Sequence, residues 1–333
     1  MKASETGYSL WLDFVERDFL RETFPEWIDA GNINGATSNP SIFAQAITTS
    51  PAYKAQLETL AGADPKAKYE ALAIEDIRTA ALALRRCYDT GDDGYISIEV
   101  DPFLSNDTDA TLAEARRLFK TIGQPNVMIK VPATEAGYPV MEALLGEGIS
   151  VNATLVFSPD QARRCLEVMK RGIDAFESTG GMRVEAVISV FVSRFDRMLD
   201  AVLEAKGLPT AQTGIMNAAA IYHRIEANHT PSIQTLFAST GVKGDHLPAD
   251  YYVQQLCAPH AINTAPLATL QTALDHTLPH TPRIPDAQSA EAWFDRLRDA
   301  GIEMEEVYAQ LLREGLEAFE KAFEDMLKTL GAS

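Results

Sequence analysis

The sequence predicts an α/β fold in which parallel β-strands alternate with α-helices. Eight apolar segments of strand length recur along the 333 residues, with helix-like stretches between them. Three of these segments, VMIKVP at 127–132, VNATLVF at 151–157 and VEAVISVFV at 184–192, are almost continuously apolar, as in parallel strands covered on both faces. Because parallel strands need helical crossovers, this alternation selects the α/β class. The length fits one (β/α)₈ barrel, which commonly takes about 250 residues, or two smaller domains.

The predicted strands extend over most of the chain, and predicted helices connect them. The strands are predicted at 8–15, 33–37, 95–100, 127–132, 151–157, 184–192, 233–239 and, more weakly, 261–264. The helices are predicted at 51–60, 65–88, 108–121, 139–145, 158–176, 194–203 and 210–227. The helix at 158–176 has the clearest start, because Ser158 is a capping residue and Pro159 suits the first helical position.

Residues 289–330 form a long amphipathic pattern with apolar side chains at helical spacing. We interpret this pattern as a pair of helices packed on the outside of the barrel, capped by Ser289 and interrupted at Gly301. Three prolines within 278–285 indicate that the preceding segment is a loop and not a domain boundary.

The charge and the apolar segments exclude several classes of partner. The chain has 29 Lys and Arg against 47 Asp and Glu, a net charge of −18, and no basic cluster longer than a pair. Nucleic acid and anionic membranes are therefore not expected as partners. No segment approaches the roughly 20 apolar residues of a membrane span, and Asp13 and Glu16 interrupt the first apolar segment, so we expect a cytoplasmic protein.

The motifs of nucleotide-binding loops, serine hydrolases and zinc proteases are absent from the sequence. The three cysteines lie far apart and form no Cys/His cluster, so neither disulfides nor a zinc site is indicated. His276 and His280 are the one close histidine pair, and Pro279 between them spoils the helical geometry that a metal site needs. We expect neither a metal nor an organic cofactor.

Lys130 is the most informative polar residue, because it lies inside the apolar segment at 127–132. An ammonium group in the wall of a parallel sheet must lose its charge or pair with a carboxylate. A neutral lysine amine can condense with a carbonyl to form a Schiff base, whose iminium then accepts electrons when a neighbouring carbon–carbon bond breaks. The alternative is a lysine that reaches water or makes a structural ion pair.

Other predicted strands carry polar residues near their carboxyl ends. Asp13, Glu99 and Asn39 each follow an apolar segment, and Asn152 and Thr154 stand two apart, so both point to one side of their strand. In a barrel the carboxyl ends of the strands converge on one opening, where active sites of this fold lie. A single acid at such a position is more often a cap or turn residue, so their joint occurrence carries the argument.

Two carboxylates and a lysine suffice for Schiff-base chemistry, since one acid or base moves the water of the carbinolamine and the other takes a hydroxyl proton during carbon–carbon cleavage. Downstream, Ser189 and Arg194 place a hydroxyl and a guanidinium just past a strand, which suits a phosphate group. Alternatively, Arg194 only begins the next helix with its charge in water.

Four longer motifs follow one another along the chain: GATSNPSIF at 35–43, MIKVPAT at 128–134, GISVNATLVFS at 148–158 and SVFVSR at 189–194. In this order they resemble the transaldolase family of ketose-phosphate transferases. Weaker matches are SLWLD at 9–13, YISIEV at 95–100 and ASTGVK at 238–243. The resemblance implies a single (β/α)₈ barrel over residues 1–333, with strands and crossovers over about 8–270 and C-terminal helices over 289–330.

The resemblance also implies roles for individual residues. Lys130 matches the Schiff-base lysine, and Asp13 matches the acid/base that handles the substrate hydroxyl. Glu99 and Thr154 match the pair that holds a catalytic water. Further matches concern the sugar site (Thr37, Asn39, Asn152), the phosphate anchor (Ser189, Arg194) and an aromatic ring beside the reacting carbons (Phe191). Lys243 stands near the place of a second phosphate-binding arginine and is a replacement candidate for it.

The implied activity is transfer of a dihydroxyacetone unit from sedoheptulose 7-phosphate or fructose 6-phosphate to glyceraldehyde 3-phosphate or erythrose 4-phosphate, as in the pentose phosphate pathway. Two alternatives remain. A fructose 6-phosphate aldolase-like enzyme would release free dihydroxyacetone, but those smaller relatives carry glutamine at the place of Glu99 and tyrosine at that of Phe191. A non-catalytic barrel that binds sugar phosphates is the other. Partners are thus small sugar phosphates, and both a monomer and a homodimer fit.

Overall fold

The computed structural model describes residues 7–228, 230–276, 278–279 and 281–332. Eight parallel strands form a closed barrel in the order β1-β2-β3-β4-β5-β6-β7-β8, with β1 paired to both β2 and β8. This confirms the predicted (β/α)₈ barrel. The strands are β1 Tyr8–Asp13, β2 Gly35–Thr37, β3 Ile96–Glu99, β4 Val127–Pro132, β5 Val151–Val156, β6 Ala186–Phe191, β7 Ile233–Ala238 and β8 Ala261–Ala265.

Helices cover the outside of the barrel and extend beyond its last strand. They are α1 Arg17–Asp29, α2 Pro40–Thr49, α3 Lys54–Thr59, α4 Pro65–Thr90, α5 Thr108–Ile122, α6 Gly137–Gly146, α7 Pro159–Ser178, α8 Ser193–Ala205, α9 Thr213–Glu226, α10 Tyr251–Gln255, α11 Leu267–Asp275, α12 Ala287–Asp299 and α13 Met304–Gly331. Among the helices that the sequence did not predict, α1 holds Pro25 in its interior, a residue that usually ends a helix. None of the helices in the described residues is long and apolar enough to cross a membrane.

The interior of the barrel is apolar in its lower part and polar toward the carboxyl ends of the strands. One buried cluster holds the apolar side chains of five strands, namely Trp11, Met128, Val187, Leu236 and Ile262. Asp13 and Lys130 each follow a member of this cluster by two residues, so they point to the same inner side, one step closer to the carboxyl ends of the strands. The pairing of Glu99 with Lys130, and of Lys130 with Asn152, places their strands side by side at that level. Strand alternation and register therefore bring these polar side chains together at one level inside the barrel.

The C-terminal helices differ from the sequence prediction in two respects. The capping residue of α12 is Asp286 and not Ser289, because the Asp286 carboxylate accepts the Ser289 backbone N–H at 2.7 Å. The predicted break at Gly301 lies between α12 and α13, where this residue has a φ of +74° that favours glycine. α13 packs against α2 and α4 on the outside of the barrel, but it also contacts β5 and places Phe319 at the barrel opening, which the sequence did not predict. An amphipathic pattern identifies an apolar face but not the surface that it covers.

The carboxyl end of β5 contains an irregular turn that Gln161 holds in place. The register of β5 against β6 shifts between Ala153 and Val156, and Leu155 has a φ of +56°, which is strained for a residue with a side chain. Gln161 Oε1 accepts the backbone N–H groups of Phe157 and Ser158, and Gln161 Nε2 donates to the carbonyls of Ala133 and Leu155. Ser158 caps α7 as predicted. The orientation of Thr154, the neighbour of Leu155, depends on this network.

We expect Gln161→Ala to lower the free energy of unfolding by about 2–4 kcal/mol, because four buried backbone groups lose their partner. Thermal unfolding followed by circular dichroism measures the loss as a lower Tm. Gln288→Ala on the exposed face of α12 is the matched control and should leave Tm unchanged. Equal Tm values for the two variants would contradict the proposed role of Gln161.

Candidate active site

A cavity of about 260 Å³ opens at the carboxyl ends of the strands. It is lined by nine of the eleven side chains selected from the sequence: Asp13, Thr37, Asn39, Lys130, Thr154, Ser189, Phe191, Arg194 and Lys243. The other two, Glu99 and Asn152, lie just below its surface and contact residues that line it. A larger cavity of about 380 Å³ lies near the ends of α1 and α4 and contains none of these residues. We assign the Schiff-base chemistry to the smaller cavity, because the lysine and the acidic side chain that this chemistry needs line it.

Lys130 lies at the floor of the cavity with its amine almost enclosed. The residue is 6% exposed. Its Nζ donates a hydrogen bond to the Ser38 carbonyl at 2.9 Å and lies 3.7 Å from Glu99 Oε2. The contact with Glu99 follows from strand register, because the two residues are paired across β3 and β4. An amine held this way has a fixed direction and a nearby carboxylate to exchange a proton with.

Burial raises the pKa of both carboxyl groups near Lys130 above their ordinary values. Burial raises the pKa of Asp13 above its ordinary value, against the opposing effects of the Lys130 charge and of the Thr37 hydroxyl, which donates to Asp13 Oδ1 at 2.6 Å. Burial also raises the pKa of Glu99 to about 7, although the Lys130 charge acts in the opposite direction. A carboxyl group with a pKa of about 7, as in Glu99, can both give and take protons near neutral pH.

Two polar atoms beside Lys130 have no hydrogen-bond partner within the described part of the chain. They are Glu99 Oε2 and Thr154 Oγ1, and both are buried. Unpartnered buried polar atoms cost free energy, so an arrangement of this kind suits the binding of a further polar group. Thr154 on β5 is paired with Pro132 on β4, two residues after Lys130. Thr154 therefore lies one step closer to the carboxyl ends of the strands than Lys130 does.

Asn152 and Asn39 have structural partners of their own. Asn152 is fully buried, donates to Ser97 Oγ at 3.3 Å and accepts the Ser189 hydroxyl at 2.6 Å. It therefore orients Ser189 from below instead of lining the cavity. The Asn39 side-chain oxygen accepts the Ile42 N–H and so caps α2. Among the residues that the structure describes, the Asn39 amide nitrogen has no such structural bond and is free to donate to a ligand, since Asn39 lines the cavity.

Three cationic side chains, Arg194, Arg197 and Lys243, line the cavity, and we call this part of the lining the cationic wall. The Arg194 guanidinium lies 5.2 Å from the centre of the Phe191 ring, and its pKa is lowered by burial and by the neighbouring charge of Arg197. The first turn of α8 also faces this region, because Ser193 begins that helix and lines the cavity. Cationic groups and a helix N-terminus together favour an anion.

Sequence reasoning missed several further lining residues, among them Ser193, Arg197, Ser239 and Phe319. Arg197 and Ser193 flank the predicted Arg194 on the same helix, so the helical spacing of Arg194 and Arg197 was a usable signal. Ser239 has a φ of +56°, and its hydroxyl lies 3.0 Å from that of Ser193. Phe319 comes from α13, more than one hundred residues after Arg197 in the chain, and nothing in its local sequence marks it.

The described residues include no group of three or more His, Cys, Asp or Glu side chains that could hold a metal ion. Of the histidine pair considered from the sequence, His280 lies outside the described residues. His276 contacts Asp250 Oδ2 at 3.0 Å through Nδ1. The three cysteines are buried and free.

The fold and the cavity define a (β/α)₈ barrel with a buried lysine near two carboxyl groups and with cationic side chains lining the same cavity. The model of the family described as "Transaldolase/Fructose-6-phosphate aldolase" matches residues 10–330, so the chain belongs to this family. The resemblance deduced from the sequence motifs is thereby confirmed.

Individual relatives agree with the family match over nearly their whole length. A protein named transaldolase from Helicobacter pylori (strain P12) is 44% identical over 324 residues, covering 97% of this chain and 99% of its own. One of the same name from Campylobacter jejuni subsp. jejuni serotype O:23/36 (strain 81-176) is 43% identical over 332 residues, with coverages of 97% and 99%. A solved structure described as a putative fructose-1,6-biphosphate aldolase from Coccidioides immitis aligns with a TM-score of 0.29 and 9% identity over 99% of this chain and 94% of that one, too low to carry an argument.

Proposed function

We propose that this protein is a transaldolase, a transferase that moves a dihydroxyacetone unit between sugar phosphates through a Schiff base on Lys130. The donor is sedoheptulose 7-phosphate or fructose 6-phosphate, and the acceptor is glyceraldehyde 3-phosphate or erythrose 4-phosphate. The observation that carries the proposal is the enclosed Lys130 amine, 3.7 Å from Glu99 Oε2, in a cavity that the cationic side chains also line. Names of relatives at 43–45% identity support the same activity.

The reaction begins when the neutral Lys130 amine adds to the keto carbon of the donor. The resulting carbinolamine loses water, and the protonated form of Glu99 supplies the proton for the leaving hydroxyl. The two unpartnered atoms, Glu99 Oε2 and Thr154 Oγ1, suit the binding of this water. The product of this step is an iminium ion, which accepts the electron pair of the carbon–carbon bond that breaks next.

Asp13 takes the proton of the donor hydroxyl as that bond breaks and the aldose phosphate leaves. The Thr37 hydroxyl holds the Asp13 carboxylate through a 2.6 Å hydrogen bond, and Thr37 is in turn 2.8 Å from the Thr264 hydroxyl. The enamine left on Lys130 then adds to the carbonyl of the acceptor, and Asp13 returns the proton. Hydrolysis of the new iminium, with Glu99 as the base, releases the product ketose phosphate.

The phosphate of donor and acceptor fits the cationic wall. We expect Arg194→Ala to raise KM for fructose 6-phosphate by about 10- to 100-fold with a smaller effect on kcat, because the lost contact is made in the ground state as well as the transition state. Steady-state kinetics with phosphorylated and unphosphorylated donors measures the effect. Arg171→Ala, which removes an exposed ion pair with Glu142, is the control. An equal loss for unphosphorylated donors would contradict the phosphate role.

Transfer and simple aldol cleavage are separated by the need for an acceptor. The test incubates the protein with fructose 6-phosphate, with and without erythrose 4-phosphate, and measures glyceraldehyde 3-phosphate and sedoheptulose 7-phosphate. A transaldolase forms both products only with the acceptor present. Steady release of free dihydroxyacetone without acceptor would identify a fructose 6-phosphate aldolase instead, and no reaction of any ketose phosphate would identify a binding barrel.

The cellular setting that we propose is the cytoplasm, with sugar phosphates as the partners of a single barrel domain spanning residues 1–333. Three free and buried thiols suit a reducing compartment. The acidic composition, with its net charge of −18, suits solubility and opposes binding to nucleic acid. Because the chain as a whole is acidic, the cationic side chains of the cavity stand out as a site for anions.

A further inference from the structure

Arg197 is a third cation at the cavity, beside Arg194 and Lys243. It stands three residues after Arg194 on α8, so the two guanidinium groups leave the same face of the helix. Both line the cavity. Their charges interact, because Arg197 contributes to the lowered pKa of Arg194. Two like charges held together in this way destabilise each other unless an anion lies between them.

The two arginines and Lys243 form no ion pair within the described ranges. The charges of Glu314 on α13 and of Glu99 act favourably on Arg194, but neither carboxylate forms an ion pair with it, and Glu314 Oε1 accepts a hydrogen bond from Gln310. In a chain with 47 acidic and 29 basic residues, three cations at one cavity without carboxylate partners are unexpected for a structural role. A ligand that carries negative charge explains them.

Arg194 has limited freedom to surround an anion by itself. The Phe191 ring lies on one side of its guanidinium, and α13 passes close by on another. A Cβ at Gly315 would lie 3.3 Å from Arg194 Nη1 and 2.9 Å from Leu155 Cδ2, so the helix backbone packs directly against these side chains. Arg197 is exposed and has no such confinement. It can therefore approach the outer oxygens of an anion that Arg194 holds from within.

We propose that Arg197 is a substrate-binding residue that completes the phosphate site and makes it selective for the dianionic form of sugar phosphates. This inference rests on the proposed function for its substrate class, and deepens it by adding a residue. Arg194 contacts the phosphate from the interior, and Arg197 contacts it from the rim. The second guanidinium matters most for a phosphate with two charges, because each additional cation stabilises the second charge.

The first test measures binding of inorganic phosphate by calorimetry at low ionic strength. Arg197→Gln should weaken binding about tenfold, and Arg197→Lys should weaken it less, because the charge remains while the planar fork is lost. Arg283→Gln is the matched control. Arg283 is exposed and acts electrostatically on Tyr8 and Cys257, which precede or begin strands at the opposite end of the barrel. Its phosphate affinity should equal that of the unaltered protein.

The second test follows catalysis. For Arg197→Gln, kcat/KM for fructose 6-phosphate should fall about tenfold with kcat within about twofold, and the loss should disappear with unphosphorylated donors. The dependence of log kcat/KM on log salt concentration should also become shallower, because one charge that attracts the substrate is gone.

Two results would overturn the inference: phosphate affinity of Arg197→Gln within twofold of the unaltered protein, or an equal loss in Arg283→Gln. The failure of the proposed function has a different signature. Phosphate binding that depends on Arg197, in a protein that forms no covalent adduct with fructose 6-phosphate, overturns the transferase assignment and supports the anion site.

Discussion

Lys130→Ala should reduce turnover of fructose 6-phosphate with erythrose 4-phosphate to background, a loss of at least about 10⁴-fold. The reason is chemical, since Lys130 is the lysine whose enclosed amine lies 3.7 Å from Glu99 Oε2, and a guanidinium group such as that of Arg194 or Arg197 stays protonated and forms no Schiff base. A coupled assay of glyceraldehyde 3-phosphate formation measures the loss. Lys120→Ala, at an exposed position near the end of α5, should retain full activity.

The same substitution removes the charge that opposes protonation of Glu99. Because the Lys130 charge lowers the pKa of Glu99, its removal should raise that pKa further, and the carboxyl group should be neutral at pH 7. The variant should therefore fold without an unpaired buried charge. Circular dichroism of Lys130→Ala checks this, and a folded variant with more than a few percent of the original activity would contradict the Schiff-base assignment.

Glu99→Gln is the second large effect that we expect, with kcat lower by about 10²- to 10³-fold. Glutamine can still form hydrogen bonds, but it can neither protonate the leaving hydroxyl nor deprotonate the attacking water. Because the pKa of Glu99 is about 7, the activity of the unaltered protein should change with pH near that value. The change near pH 7 should be missing in the variant. Glu291→Gln, exposed on α12, serves as the control.

Glu99 also has a consequence for stability with a definite sign. Its folded-state pKa of about 7 lies above the ordinary value of 4.5, so the folded protein binds the proton more tightly than the unfolded chain. This group therefore lowers the free energy of unfolding as pH rises from about 4.5 to 7. Glu99→Gln should flatten this part of the pH–stability curve.

The catalytic role of Glu99 has its own contradicting result. If kcat of Glu99→Gln and the pH dependence of its activity equalled those of the unaltered protein, Glu99 would not be the group that moves the water.

The barrel was predictable from sequence because its determinants are local. Apolar segments of strand length, separated by helices, show through periodicity alone, and the polar residues at strand ends stand out against them. Lys130 is the clearest case, because a charged ammonium group is unexpected within the apolar segment VMIKVP. Alternation by two residues then places Asp13 and Lys130 on the inner side of the barrel without any knowledge of the structure.

The remaining parts of the site depend on contacts that a linear pattern does not encode. Phe319 reaches the opening because α13 crosses the end of β5, and its amphipathic pattern is equally suited to an outer surface. Gln161 is only partly marked in the sequence, since its bond to the Ser158 N–H belongs to a local capping box, whereas its bond to the Ala133 carbonyl forms only when β4 and α7 come together. Arg197 is intermediate, because its spacing from Arg194 is visible but its missing carboxylate partner is not.

Trapping of the covalent intermediate tests the central claim most directly. The protein is incubated with fructose 6-phosphate, reduced with borohydride and digested, and the peptides are analysed by mass spectrometry. We predict a reduced dihydroxyacetone adduct on Lys130, with Lys130→Ala giving none under the same conditions. An adduct on a different lysine, or no adduct while the protein converts the substrate, would contradict the proposed mechanism.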